Sequence, residues 1–132
     1  PPTTYRNIKK SMHLNNCFCH PTVMWKIDFS SMKKYFYKEE YKYAEDYELF
    51  WGLIKMYDAA NLSISVVDTF ADPGGISRMK RKEQLVLRMK IQLKNFDYLS
   101  YESYVGIVKS SVLFMLPVAI VDRIKAVLGG SK

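Results

Sequence analysis

One hundred and thirty-two residues make a single domain-sized chain, long enough to bury a core without disulfide or metal staples. Hydrophobic content of 48% and aromatic content of 14% exclude a disordered tail. Twenty Lys and Arg against thirteen Asp and Glu leave a net charge of +7, which points to a polyanionic partner: nucleic acid, an acidic protein tract or an anionic membrane.

The opening PPTTYRNIKK lacks the apolar core of a signal peptide, and a start at Pro1 is expected of a fragment of something larger. Residues 5–14 predict a short helix. His13, Cys17, Cys19 and His20 then raise the question of a metal. Structural zinc sites pair one knuckle with a second many residues away, whereas these four candidates fall within eight residues and have no second pair downstream. No metal is expected, and the cysteines read as small hydrophobes. Cys17-Phe-Cys19 is too tight for an ordinary bridge, so a reducing compartment is the default.

PTVMWKIDF (21–29) reads as a connector or a short strand, with Asp28, Ser30 and Ser31 as candidate N-caps for the next helix. From Met32 to Ala59 the pattern predicts one long amphipathic helix, because Tyr43, Tyr47, Phe50, Ile54 and Tyr57 line up on one face. Gly52 weakens it by only about 1 kcal/mol. Glu39, Glu40, Glu45, Asp46 and Glu48 supply its wet side. The tyrosines and lysines of SMKKYFYKEEYKY could stack bases and hold phosphates, but at helical spacing core packing is the favoured reading.

Ser63 to Val66 alternate like a strand, with a short helix not excluded. Asp72-Pro73-Gly74-Gly75 is a strong breaker. Residues 78–94 then hold seven cations against one anion, Glu83. Leu85, Leu87, Met89, Ile91 and Leu93 alternate with Arg88, Lys90, Gln92 and Lys94, which predicts a strand with its cations on the solvent face. With the loop cations they make one basic surface: Arg78, Lys80, Arg81, Lys82, Arg88, Lys90 and Lys94. A solvated strand face that blunts edge pairing is the plainer reading of the same residues. With no base-reading signature, RNA binding there would be blind to sequence.

NFDYLSYESY predicts a turn, and the tail from Tyr104 to Leu128 stays ambiguous. Pro117 can start a helix over PVAIVDRIKAVL that Gly129-Gly130 would end. The longest apolar run, 112–121, holds ten residues with Pro117 inside it, too short to span a bilayer. The fold class expected is α+β in one domain, 1–132. An N-terminal helical cluster with its long central helix fills about 1–60, and a basic loop, a small β-sheet and a C-terminal helix fill about 61–132. No G-x-S-x-G, P-loop, G-x-G-x-x-G or H-E-x-x-H occurs, so neither an enzyme nor a cofactor is expected.

HPTVMWKIDF (20–29), the long helix, LSISVVDTFADPGGISRM (62–79) and LVLRMKIQL resemble, in order and spacing, the C-terminal host-range domain of influenza polymerase basic protein 2, the cap-binding subunit of the orthomyxovirus RNA polymerase. The likeness covers roughly residues 20–94 and is carried by Pro21-Thr22, Phe29, Asp68 to Ala71 loosely, and Ser77-Arg78-Met79. A distant member such as a thogotovirus fits better than an influenza virus. The resemblance implies a noncatalytic domain of a viral RNA polymerase subunit, acting in transcription and replication in the host nucleus and carried in the virion with the polymerase complex. It implies the other polymerase subunits, RNA and an acidic host nuclear protein as partners, and a monomer in isolation. The family's host-range position falls on Gly75, where this chain carries no charge, so Arg78 and Lys80 to Lys82 would take over the electrostatic work. The cap-binding aromatics belong to another domain of that subunit, and beyond Asn95 the likeness ends. From a different class, a matrix-like structural protein would use the same patch on anionic membrane, and a bare packing module would use it for little.

Overall fold

The structure is a computed structural model that describes residues 1–26, 37–65, 67, 79–121 and 123. Its α-helices are α1 (Tyr5–Leu14), α2 (Glu45–Ile54), α3 (Arg81–Lys94) and α4 (Tyr101–Met115), with 3-10 turns at His20–Thr22 and Glu39–Tyr41. Helical backbone resumes at 118–121, directly after Pro117; the expected end of that helix at Gly129-Gly130 lies outside the described residues. Among the described residues there is no β-strand, so the expected α+β class is corrected to all-helical. Helix α4 packs against both α3 and α1, and α2 closes the other side against α3 and the Glu39–Tyr41 turn.

The largest correction is α3. Leu85, Leu87, Met89, Ile91 and Leu93 do not share a face. Leu85, Ile91 and Gln92 are buried while Leu93 is exposed, the distribution of a 3.6-residue period rather than a two-residue one. The composition RKEQLVLRMKIQLK accounts for it, since Leu, Met, Lys, Arg, Gln and Glu are strong helix formers and only Val86 and Ile91 are β-branched. Residues 63–65 also form no strand; Val66 lies outside the described residues. Of the stretch expected to turn, 95–104, residues 95–100 lie outside any helix, and α4 begins at Tyr101.

The long central helix is broken. Before α2, Lys42 (φ −46°, ψ 129°) and Tyr43 (φ 79°) form a tight turn closed by Ala44 N–H to Tyr41 O at 2.7 Å. This is type II geometry, which wants glycine where Tyr43 stands. Residues 32–36, the start of the expected helix, lie outside the described residues, as do Asp28, Ser30 and Ser31.

The core gathers Ile8 and Met12 of α1, Tyr47, Phe50 and Ile54 of α2, and Ile91 of α3. Beside it runs a chain of buried polar contacts. Gln92 Nε2 donates to the His13 carbonyl at 2.8 Å, and Ser110 Oγ donates to Gln92 Oε1 at 2.9 Å. Ser103 Oγ lies 2.9 Å from His13 Nδ1 and accepts the Asp97 N–H at 3.2 Å. The His13 ring packs edge-on to Trp51 at 4.8 Å. Burial holds this imidazole below its usual range, although Asp97 and Glu102 pull the other way. The neutral ring then shares a hydrogen bond with the Ser103 hydroxyl through Nδ1.

Gly106 makes the close approach possible. A Cβ there would stand 2.0 Å from the His13 carbonyl oxygen. Gly106→Ala is therefore expected to force α1 from α4, at a cost of at least ~1–3 kcal/mol. Gln92→Leu would orphan the same carbonyl for about 1–3 kcal/mol. Thermal unfolding of both variants checks this; an unchanged melting temperature in either would contradict the packing. The His13 shift carries its own sign. The unfolded chain takes up a proton near the ordinary pKa of ~6.5, and the folded chain does so only at lower pH. Stability should hold above pH ~6.5 and fall below it, and urea titrations should show that slope flattened in His13→Gln.

Candidate polyanion-binding face

Of the seven predicted cations, the six that the structure describes do not form one surface. Arg78 and Gly75 lie outside the described residues. The other six sit on or just before α3, where the helical period splits them. Arg81 turns inward, its guanidinium donating to the carbonyls of Leu113 at 2.5 Å and Leu116 at 3.1 Å. It thus closes the C-terminal end of α4, where a cation also suits the helix dipole. Arg88 is half-buried; burial lowers its guanidinium from the usual value, with Tyr47 opposing. Neither arginine is free to hold a phosphate.

Lys82, Lys90 and Lys94 face outward. Lys94 is paired with Glu48 at 2.9 Å, and Lys38 reaches the same carboxylate oxygen at 2.8 Å. Burial pushes the Glu48 carboxyl up, but the two ammonium groups outweigh it and leave a net lowering. Lys80 sits 3.1 Å from Glu83, an exposed pair of small energetic weight.

The turn between Tyr41 and Ala44 gives these lysines a second role. Lys90 and Lys94 stand 5.2 and 5.4 Å from the Tyr41 ring centroid. Lys42 and Lys80 stand 5.6 and 5.8 Å from the Tyr43 ring. Tyr41 is buried, so its faces are covered; Tyr43 is half-exposed on a turn. Glu39, Glu40, Glu48 and Glu83 stand near this group in the chain or in space, which makes the face mixed rather than uniformly basic. Of the cations on it, Lys42, Lys82 and Lys90 have no carboxylate partner among the described residues. Tyr43 itself was expected on a helix face, and its interleaving with Lys42 was the signal that pointed elsewhere.

The metal candidates are drawn apart. His13 is buried against Trp51, Cys17 is half-buried near the Ile8 carbonyl, and Cys19 is exposed. His20 sits at the surface, 3.1 Å from Asp46 and beside Tyr37. Among the described residues no group of three or more His, Cys, Asp or Glu is placed to hold a metal. No helix among them is long and apolar enough to cross a membrane. The chain matches no protein-family model, no curated protein and no solved structure.

A tyrosine at φ 79° is strained by roughly 1–2 kcal/mol relative to glycine. Tyr43→Gly should therefore raise the melting temperature by a few degrees, even though it removes the ring beside Lys42 and Lys80. A lower melting temperature would mean that the ring's contacts outweigh the strain.

Proposed function

We propose that this chain is a noncatalytic binding domain whose ligand is single-stranded RNA, gripped without regard to sequence around Tyr43. The observation that carries the reading is that strained, half-exposed tyrosine with Lys42 and Lys80 within 6 Å of its ring centre. Backbone strain persists where something over-determines it, and an aromatic ring flanked by ammonium groups suits a stacked base with its phosphate. Lys82 and Lys90 extend the track along the outer side of α3. An acidic peptide would meet the same lysines but gain nothing from the ring, which is why RNA is favoured.

A place within a viral polymerase subunit, acting in the host nucleus, belongs to the same proposal. Its support is the set of identities around Pro21-Thr22, Phe29 and Ser77-Arg78-Met79. The helical state of residues 81–94 removes from that support the strand that had been its last element.

Fluorescence anisotropy with a short oligouridylate across a salt series tests the reading. About three phosphate contacts predict a log–log salt slope near −2, at ~0.7 per phosphate on single strands. Lys42→Ala with Lys82→Ala and Lys90→Ala should flatten that slope, and Tyr43→Gly should weaken binding at every salt. Arg81→Ala should instead lower stability and leave affinity nearly unchanged. Glu48→Gln, which frees Lys38 and Lys94, should tighten binding at low salt. A native chain that ignores RNA at low salt ends the proposal.

A further inference from the structure

Helix α4 is inside out. Its inward face carries Ser103, Gly106 and Ser110, all buried. Its outward face carries Tyr101, Tyr104, Val108, Val112 and Met115, which are 77, 49, 61, 49 and 80% exposed. At 3.6 residues per turn these five fall within an arc of roughly 80°, opposite the serine side. A helix ordinarily turns its apolar stripe to the interior, and this one turns its stripe outward. Next to the stripe, Leu99 is 98% exposed.

The area sets the size of partner this face can take. At ~150–250 Å² for each tyrosine and less for each aliphatic side chain, these exposures leave roughly 600 Å² of largely apolar surface. A monomer's largest apolar patch is usually ~300–600 Å², and each side of a standard interface contributes ~800 Å².

We propose that this face is the interface of a homodimer, with two copies of α4 packed antiparallel across a two-fold axis at Val108. Such an interface must be complementary to itself, and the stripe meets that demand. The axis sets Val108 against Val108 of the second copy, Tyr104 against its Val112, and Tyr101 against its Met115. The last pair is a favourable sulfur–aromatic contact, and the opposed helix dipoles attract. Glu102 and Lys109 are the sole charges in α4, and neither lies on the stripe. A membrane-seated helix would instead carry a fringe of cations along the apolar border, where this one has Lys109 alone. Dimerisation replaces the monomer expected from the sequence.

Sedimentation velocity of the 132-residue chain over about 1–100 µM, the range for a micromolar Kd, is the test. The expected result is a mass that doubles with concentration, and a Val108→Glu variant that stays monomeric with unchanged circular dichroism. In a Cys17→Ser, Cys19→Ser background, Val108→Cys should form a disulfide-linked dimer on mild oxidation, and Lys109→Cys should not. A monomer at every concentration overturns the proposal. So does a dimer indifferent to Val108→Glu. Cosedimentation of a monomer with anionic phosphatidylserine vesicles, abolished by Val108→Glu, would overturn it in favour of a lipid surface.

Discussion

The last turn of an α-helix leaves carbonyl oxygens with no partner inside the helix, and this fold is arranged around closing those ends. The Met12 carbonyl of α1 takes the Tyr47 hydroxyl of α2, and the next carbonyl, His13, takes Gln92 of α3. The Ile54 carbonyl of α2 takes the Tyr5 hydroxyl of α1 at 2.7 Å. Helix α3 ends on Asn95, whose amide donates to Ile91 at 2.7 Å, and α4 ends on Arg81. Helices α1 and α2 therefore close each other. Each bond is worth only about 1 kcal/mol net, but a buried carbonyl left open costs more. The set fixes which helix ends must meet, a constraint that apolar packing alone would leave loose.

That arrangement explains what could be read from the chain and what could not. Helix α1 was legible: Ile8 and Met12 stand one turn apart and are both fully buried. Helix α3 was misread because five alternating apolar residues satisfied the strand pattern, while its composition favoured helix. Periodicity and propensity disagreed, and propensity held because Gln92 has to reach inward to a carbonyl, which a polar residue on a solvent face never does. Helix α4 was invisible to pattern reading for a deeper reason. Its buried side is serine and glycine, so the usual equation of apolar with inward runs backwards along it.

The charges show the same division. Counting cations from 78 to 94 located a basic region, but number is not availability. Arg81 closes a helix, Arg88 is half-buried, and Lys94 shares Glu48 with Lys38. Two of these roles depend on residues far along the chain, Leu113 for Arg81 and Glu48 for Lys94, so no local window could reveal them. What the window did contain was Lys82 and Lys90, which remain outward. The turn at Tyr43 was hidden because Tyr-Lys-Tyr carries no glycine or proline to announce a type II geometry.

The closing of α1 has a consequence in time. Its partners Gln92 and Ser103 lie 79 and 90 residues further along the chain. At a synthesis rate of about 5–20 residues per second, α1 waits roughly ten seconds for those two residues. Until then Ile8 and Met12 can pack only on α2, and the His13 carbonyl is open to water. Helix α1 is thus made before the other described helices and is held in full only after α4 has been made.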